Sequence, residues 1–235
     1  KNNFILKGGF LISAIVGLDT RATMDLDTTI KGFTLTHEAI RKIFTEICAI
    51  QIADDVQLEV VGISDIRETD DYPGIRVALK ANYPPISVPL TVDVTTGDMI
   101  TPREVEYTFS LLFDDRTISI LAYNLETVLA EKIETVLSRS VLNTRLRDFY
   151  DLYVLQDTGL EIDKATLAAG LTATARKRGS EQALALYERT LDEIRISPLM
   201  REQWKRYQEK NNYAAGIVWD DVISDIRALC DDCCK

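Results

Sequence analysis

The chain has 235 residues, 46% of them hydrophobic and 27% charged, enough for one large core or two small ones. Its formal net charge of −10 disfavours generic binding to a nucleic-acid backbone, whose affinity comes from neutralising phosphates, yet leaves room for a local basic groove. No window offers about 18 uninterrupted apolar residues, which excludes a membrane-spanning helix. The chain opens on Lys1 and runs at once into an apolar stretch at Phe4-Ile5-Leu6, so further residues are expected upstream. Only one histidine occurs, His37, and Thr36-His37-Glu38-Ala39 reads as the exposed first turn of a helix. Chemistry is therefore expected to run on carboxylates and lysines. Of the four cysteines, Cys48 stands alone, while Cys230, Cys233 and Cys234 share a tail expected to be loose. They fall short of the four ligands of a zinc site and suit reduced thiols in the cytoplasm.

In chain order, Phe4-Leu6 ends in Lys7-Gly8-Gly9, and residues 10–17 have the length and apolar character of a helix. Residues 24–30 then alternate, with Met24 and Leu26 on one face and Asp25 and Asp27 on the other. Thr36 caps a helix whose apolar positions Ile40, Ile43, Phe44 and Ile47 recur at helical spacing. Three alternating runs follow: Val56, Leu58, Val60; Ile75, Val77, Leu79; and Leu90, Val92, Val94. Turn signals at Asp71-Tyr72-Pro73-Gly74 and Tyr83-Pro84-Pro85 separate them, which predicts a mainly antiparallel sheet buried on one side. From Asn124 the pattern is helical, over 124–138, 145–157, 162–178, 181–194, 198–210 and 219–229. The expected organisation is an α/β domain at 1–120, with a mixed sheet and flanking helices, and an all-helical domain at 121–235.

Asp25 and Asp27 lie two apart on a strand, so both side chains leave one face and can share a divalent ion. Mg²⁺, or Mn²⁺ in its place, takes hard oxygen ligands, usually one or two carboxylates plus substrate phosphate. Nucleotidyl transfer needs such an ion to offset charge on the attacking and leaving oxygens. Asp93 lies between Val92 and Val94 and must point away from their core. If its strand lies beside the aspartate strand, it becomes a third carboxylate, as metal ligand or general base. Gly8-Gly9 opens a helix leading into this strand, and glycines there let backbone N–H groups approach a phosphate. In the helical half, Lys132 lies on or beside the stripe formed by Leu125, Val128, Leu129, Ile133 and Val136. It can reach a cleft or pair with Glu131 and Glu134. Asp148 and Asp151 share a face of the next helix; Asp148 could orient Lys132 or Arg147, and Asp151 could do the same one turn later.

The runs Leu6-Lys7-Gly8-Gly9, Arg21-Ala22-Thr23-Met24-Asp25-Leu26-Asp27, Leu129-Ala130-Glu131-Lys132 and Arg145-Leu146-Arg147-Asp148-Phe149-Tyr150-Asp151-Leu152 occur in order across residues 4–155. Together they resemble the AbiEii/AbiGii nucleotidyltransferase toxins of type IV toxin–antitoxin and abortive-infection systems. The resemblance implies a fold like DNA polymerase β and the aminoglycoside nucleotidyltransferases, with a helical C-terminal domain closing over a nucleoside triphosphate. It implies that Gly8 and Gly9 face phosphate, that Arg21 and Thr23 are the basic and hydroxyl positions ahead of the aspartates, and that Asp25 and Asp27 bind metal. It also implies that Lys132 contacts the triphosphate and that Asp148 is needed for activity, with Asp93 as third carboxylate. Phe10 departs from the pattern, since a small hydroxyl residue often follows the glycine pair. The expected reaction moves a nucleoside monophosphate to an acceptor hydroxyl, RNA and the tRNA 3′ end being the expected acceptor. Arg139, Arg145, Arg147 and Arg176-Lys177-Arg178 offer a basic strip for it. A small, aminoglycoside-like acceptor and a catalytically silent binding module are the alternatives. A cognate antitoxin is implied, one that need not touch this protein.

Overall fold

The computed structural model describes residues 3–17, 19–21, 23, 25–52, 55–66, 74–111 and 115–234. Met24 and the turn residues 71–73 lie outside them. The described residues form a mixed α/β protein that divides into two units.

The first unit comprises Lys1–Ser13, Ala22–Asp98 and Val105–Ala122. Its strands are β1 (Phe4–Lys7), β2 (Asp25–Ile30), β3 (Gln57–Asp65), β4 (Gly74–Tyr83), β5 (Ile86–Thr96), β6 (Val105–Ser110) and β7 (Thr117–Ala122). They form one seven-stranded sheet in the order β3-β4-β5-β2-β1-β7-β6. Pairings β1·β2, β3·β4, β4·β5 and β6·β7 are antiparallel, whereas β2·β5 and β1·β7 are parallel. Ile75, Val77, Val92, Val94 and Ile30 supply one buried face, closed by Ile40 and Phe44 of helix α2 (His37–Cys48). Thr36 caps that helix by accepting from the Ala39 N–H at 3.1 Å, as its sequence position predicts. Strand β6 is an addition to the expected runs. Its Val105, Tyr107 and Phe109 alternate with Glu106, Thr108 and Ser110, but in a short stretch behind Pro102.

The second unit comprises Ala14–Arg21, Met99–Glu104 and Tyr123–Lys235. Helix α1 (Gly8–Val16) begins in the first unit and ends in this one. The other helices here are α3 (Leu125–Arg139), α4 (Leu146–Gln156), α5 (Lys164–Arg178), α6 (Glu181–Ala185), α7 (Tyr187–Ile196), α8 (Pro198–Lys210) and α9 (Trp219–Cys233). The expected helix at 181–194 is two, broken at Leu186, and nothing in the sequence marks the break. The C-terminal tail is not loose. Helix α9 continues to Cys233 because Val222, Ile223, Ile226, Leu229, Cys230 and Cys233 keep one apolar stripe, in which the thiols act as small hydrophobic groups. Cys230 is fully buried.

Asn124 ties two segments of this unit together. Its Oδ1 accepts from the Thr127 N–H at 2.7 Å, capping α3, and its Nδ2 donates to the carbonyls of Thr101 at 2.7 Å and Arg103 at 3.0 Å. Asn124→Ala removes the cap and both hydrogen bonds between the segments, so urea unfolding should show a loss of about 2 kcal/mol or more.

Candidate active site

The sheet register builds the acidic part of the site. Asp27 of β2 stands directly opposite Asp93 of the parallel neighbour β5. On its other side Asp27 stands opposite Lys7 of β1, and Asp93 stands opposite Arg76 of β4. One row across four strands therefore reads Lys7, Asp27, Asp93, Arg76. Directly paired residues share a face, and period-two alternation puts Asp25 on it too. Thus Asp25, Asp27 and Asp93, expected from the sequence to form one set, do share a surface.

The cations flanking the row are engaged. Arg76 forks onto Asp93, donating from Nε to Oδ1 at 2.8 Å and from Nη2 to Oδ2 at 2.7 Å. Lys7 donates to Asp98 at 2.5 Å, and Asp98 also accepts from Thr95 Oγ1 at 2.8 Å. Burial pushes Asp98 upward, but Lys7 and these hydrogen bonds outweigh it and hold its carboxyl below the usual range. Asp27 moves the other way. Burial and the neighbouring Asp93 and Asp25 raise it, only partly offset by Lys7 and by the Gly9 N–H that it accepts. Asp25, Asp27, Asp93 and Asp98 formally outnumber Lys7 and Arg76 by two charges. A carboxylate crowded by its own kind is a group whose charged form gains from a nearby cation. Among the described residues, no three carboxylates, imidazoles or thiols are grouped closely enough to hold a metal ion as they stand; both oxygens of Asp93 are turned to Arg76.

The glycine pair has a packing role here. Gly8 has φ +67°, and a Cβ at this position would lie 2.2 Å from Asp27 Oδ2. Only glycine allows the chain to leave β1, start α1 and pass this close to the carboxylate. Thr23 Oγ1 accepts from the Asp25 N–H at 3.4 Å, just ahead of the acidic strand. The Phe10 ring packs at a tilt of 41° on that of Phe109, with centroids 5.8 Å apart, and no hydroxyl stands in its place. His37 is half exposed and contacts Asp65 at 2.7 Å.

The helical unit holds a second cluster. Lys132 Nζ lies 2.7 Å from both Asp148 Oδ1 and Asp151 Oδ2. Arg21 is 2% exposed and forks onto Asp151 at 2.9 and 3.4 Å. Arg145 Nε stands 2.9 Å from Asp148 Oδ2, and its Nη2 donates to Asp148 Oδ1 at 3.5 Å. Tyr150 Oη donates to the Thr20 carbonyl at 2.5 Å, fixing the segment that carries Arg21. Three cations thus surround two carboxylates. Burial opposes charge on Lys132, but Asp151 and Asp148 prevail and raise its pKa. Burial likewise opposes charge on Asp151, and Lys132 and Arg21 prevail, holding its carboxyl below the usual range.

Lys132 and Asp148 are therefore brought together as the sequence suggested. Asp151, expected to serve the same purpose one turn after Asp148, joins them as the more deeply buried carboxylate. Arg76 and Asp98 escaped the sequence reading, although Arg76 alternates between Ile75 and Val77 as Asp93 does between valines. Glu131 and Glu134 pair with Arg178, not with Lys132. Arg145 and Arg178, two members of the supposed basic strip, are thus engaged in ion pairs within the chain.

The sequence profile described as nucleotidyl transferase AbiEii toxin, type IV toxin–antitoxin system, matches residues 1–224. The chain belongs to this family of nucleotidyltransferase toxins. Membership implies a cognate antitoxin. No curated protein matches the chain. Two solved structures show similarity. One is JHP933 from Helicobacter pylori, with TM-score 0.49, 13% identity, and coverage of 98% of this chain and 83% of that one. The other is described as a candidate nucleotidyltransferase from H. pylori, with TM-score 0.48, 12% identity, and coverage of 98% and 86%. No helix among the described residues is long and apolar enough to cross a membrane.

Two outcomes follow from the charge balance. Asp27→Asn removes a buried charge and its repulsion with Asp93 and Asp25, so thermal melting without divalent ions at neutral pH should show a more stable protein than the parent. Asp151→Ala leaves Lys132 and Arg21 buried with too little counter-charge, and urea unfolding at pH 7 should show a loss of about 3–5 kcal/mol. Because the folded pKa of Asp151 is depressed, its contribution is present above its unfolded value near 3.8 and disappears as pH falls through the lower folded value. The stability gap between parent and Asp151→Ala should narrow over that acid window.

Proposed function

We propose that the chain transfers a nucleoside monophosphate from a nucleoside triphosphate to an acceptor hydroxyl, with RNA, at the tRNA 3′ end, as the acceptor. The observation that carries this reading is the register that sets Asp27 opposite Asp93 with Asp25 on the same face. Their hard oxygen donors and uncompensated negative charge suit Mg²⁺ or Mn²⁺. Asp25 and Asp27 would hold the ion, with Asp93 as the third carboxylate. When bound, the ion supplies Lewis-acid stabilisation of charge on the phosphate oxygens.

The residues of the chain do the rest. Asp93 accepts the proton of the attacking hydroxyl as its oxygen bonds to the α-phosphorus and diphosphate leaves. Lys132, held between Asp148 and Asp151, carries positive charge for the triphosphate. Asp148 and Asp151 fix its position, and Arg21 anchors Asp151. The surplus of one positive charge in that cluster is what an anionic substrate can use. Gly8 and Gly9 position Asp27 at the start of α1, whose backbone N–H groups favour negative charge. On this reading the α/β unit is a polymerase-β-like nucleotidyltransferase domain, followed along the chain by a helical one. The action belongs in the cytoplasm, where triphosphates, RNA and reduced thiols coexist. The cognate antitoxin need not touch this chain.

Incubation with each labelled triphosphate, Mg²⁺ and total RNA tests the reading. Label should pass to RNA 3′ ends and fall to background with Asp25→Asn. Asp93→Asn should slow transfer about a hundredfold or more. Absence of transfer to any RNA, or transfer indifferent to Asp25→Asn, would overturn it.

A further inference from the structure

The third carboxylate is the one whose oxygens are already taken. Arg76 occupies both oxygens of Asp93 in a planar fork, the geometry in which guanidinium and carboxylate bind most specifically. The two are cross-strand partners, so the pairing is set by the sheet register and not by a mobile loop. The Arg76 side chain is 52% exposed while that of Asp93 is 16% exposed. The cation can therefore leave into solvent or onto an incoming anion without unfolding its strand. The fields of Asp25 and Asp27 also reach Arg76, so it answers the whole acidic face and not Asp93 alone. Lys7 is placed differently, since it is largely buried and tied to Asp98.

We propose that Arg76 is a positioning residue that acts as a displaceable counter-ion, withholding Asp93 from the metal until a phosphate-bearing substrate draws the guanidinium away. The inference rests on the metal-binding assignment of Asp25 and Asp27. In the nucleotide-free protein, Asp25 and Asp27 alone meet the ion, and binding is weak. A triphosphate offers Arg76 a better bidentate partner than one carboxylate, and Asp93 then turns to the ion or to the acceptor hydroxyl. Metal and nucleotide should accordingly bind with positive coupling, and each should tighten the other by the same factor.

Mn²⁺ titration of the nucleotide-free chain, read by electron paramagnetic resonance, tests this. Arg76→Gln should bind Mn²⁺ about tenfold or more tightly than the parent, a change on the scale of those that follow loss of an outer-shell partner but opposite in sign, because Arg76 withholds its carboxylate. Arg76→Lys, which keeps the charge but loses the fork, should fall between them. Asp93→Asn in the parent should change nucleotide-free affinity little, and in the Arg76→Gln background it should abolish the gain. That last comparison separates release of a ligand from simple loss of a repelling charge, which would survive without Asp93. Equal affinity of Arg76→Gln and the parent, or a gain that persists in the double variant, overturns the proposal. Mn²⁺ binding undiminished by Asp25→Asn would instead overturn the metal assignment itself. Circular dichroism of each variant confirms that the fold is retained.

Discussion

Hydrogen-bond register places Asp27 and Asp93 side by side on adjacent parallel strands, about 4.8 Å apart at the backbone. Neither strand can slip to relieve the repulsion, because a one-residue shift would turn Val92, Val94 and Ile30 out of the core. The apolar face packed on α2 therefore holds the acidic face in place. Burial of Ile75, Val77 and Val94 stabilises a surface that, on its own charges, is unfavourable. A row with cations at its ends and carboxylates at its centre limits that cost without removing it; burial, and then Asp93 and Asp25, still raise the proton affinity of Asp27.

The helical unit solves a different electrostatic problem. Lys132, Arg21, Asp148 and Asp151 are all largely buried, and charges taken from water need close, well-directed partners. Each of the two carboxylates serves two cations, so the arrangement is rigid, and the loss of one member exposes the others. Such a cluster fixes the lysine ammonium to a single position. A flexible surface lysine could not do so without losing side-chain entropy each time substrate bound. The same reasoning explains why Asp151, deeper than Asp148, matters as much to the lysine.

Much of this was legible in the sequence. Alternation put Asp25 and Asp27 on one face of their strand and turned Asp93 away from the core, because period-two geometry leaves a charged residue between valines nowhere else to go. The helical spacing around Lys132 and the i,i+3 pair Asp148 and Asp151 gave the second cluster. Adjacency was not legible: that β2 pairs with β5, three strands later in the chain, depends on long-range packing that no local pattern encodes. Arg76 illustrates the consequence. Its own strand showed it pointing outward, but only the register shows what it faces. The tail misled for another reason. Cys230 and Cys233 read as reduced thiols on a loose tail, when their spacing simply extends the apolar stripe of α9. The break at Leu186 has no marker such as glycine or proline, and a continuous helical pattern concealed it.

The central claim is that Asp25 and Asp27 hold a divalent cation for a triphosphate. Anomalous diffraction from crystals grown with Mn²⁺ and a non-hydrolysable nucleoside triphosphate addresses it most directly. The account predicts a manganese peak within bonding distance of carboxylate oxygens from both residues and of the nucleotide phosphates. Manganese found with the phosphates but away from both carboxylates would contradict it.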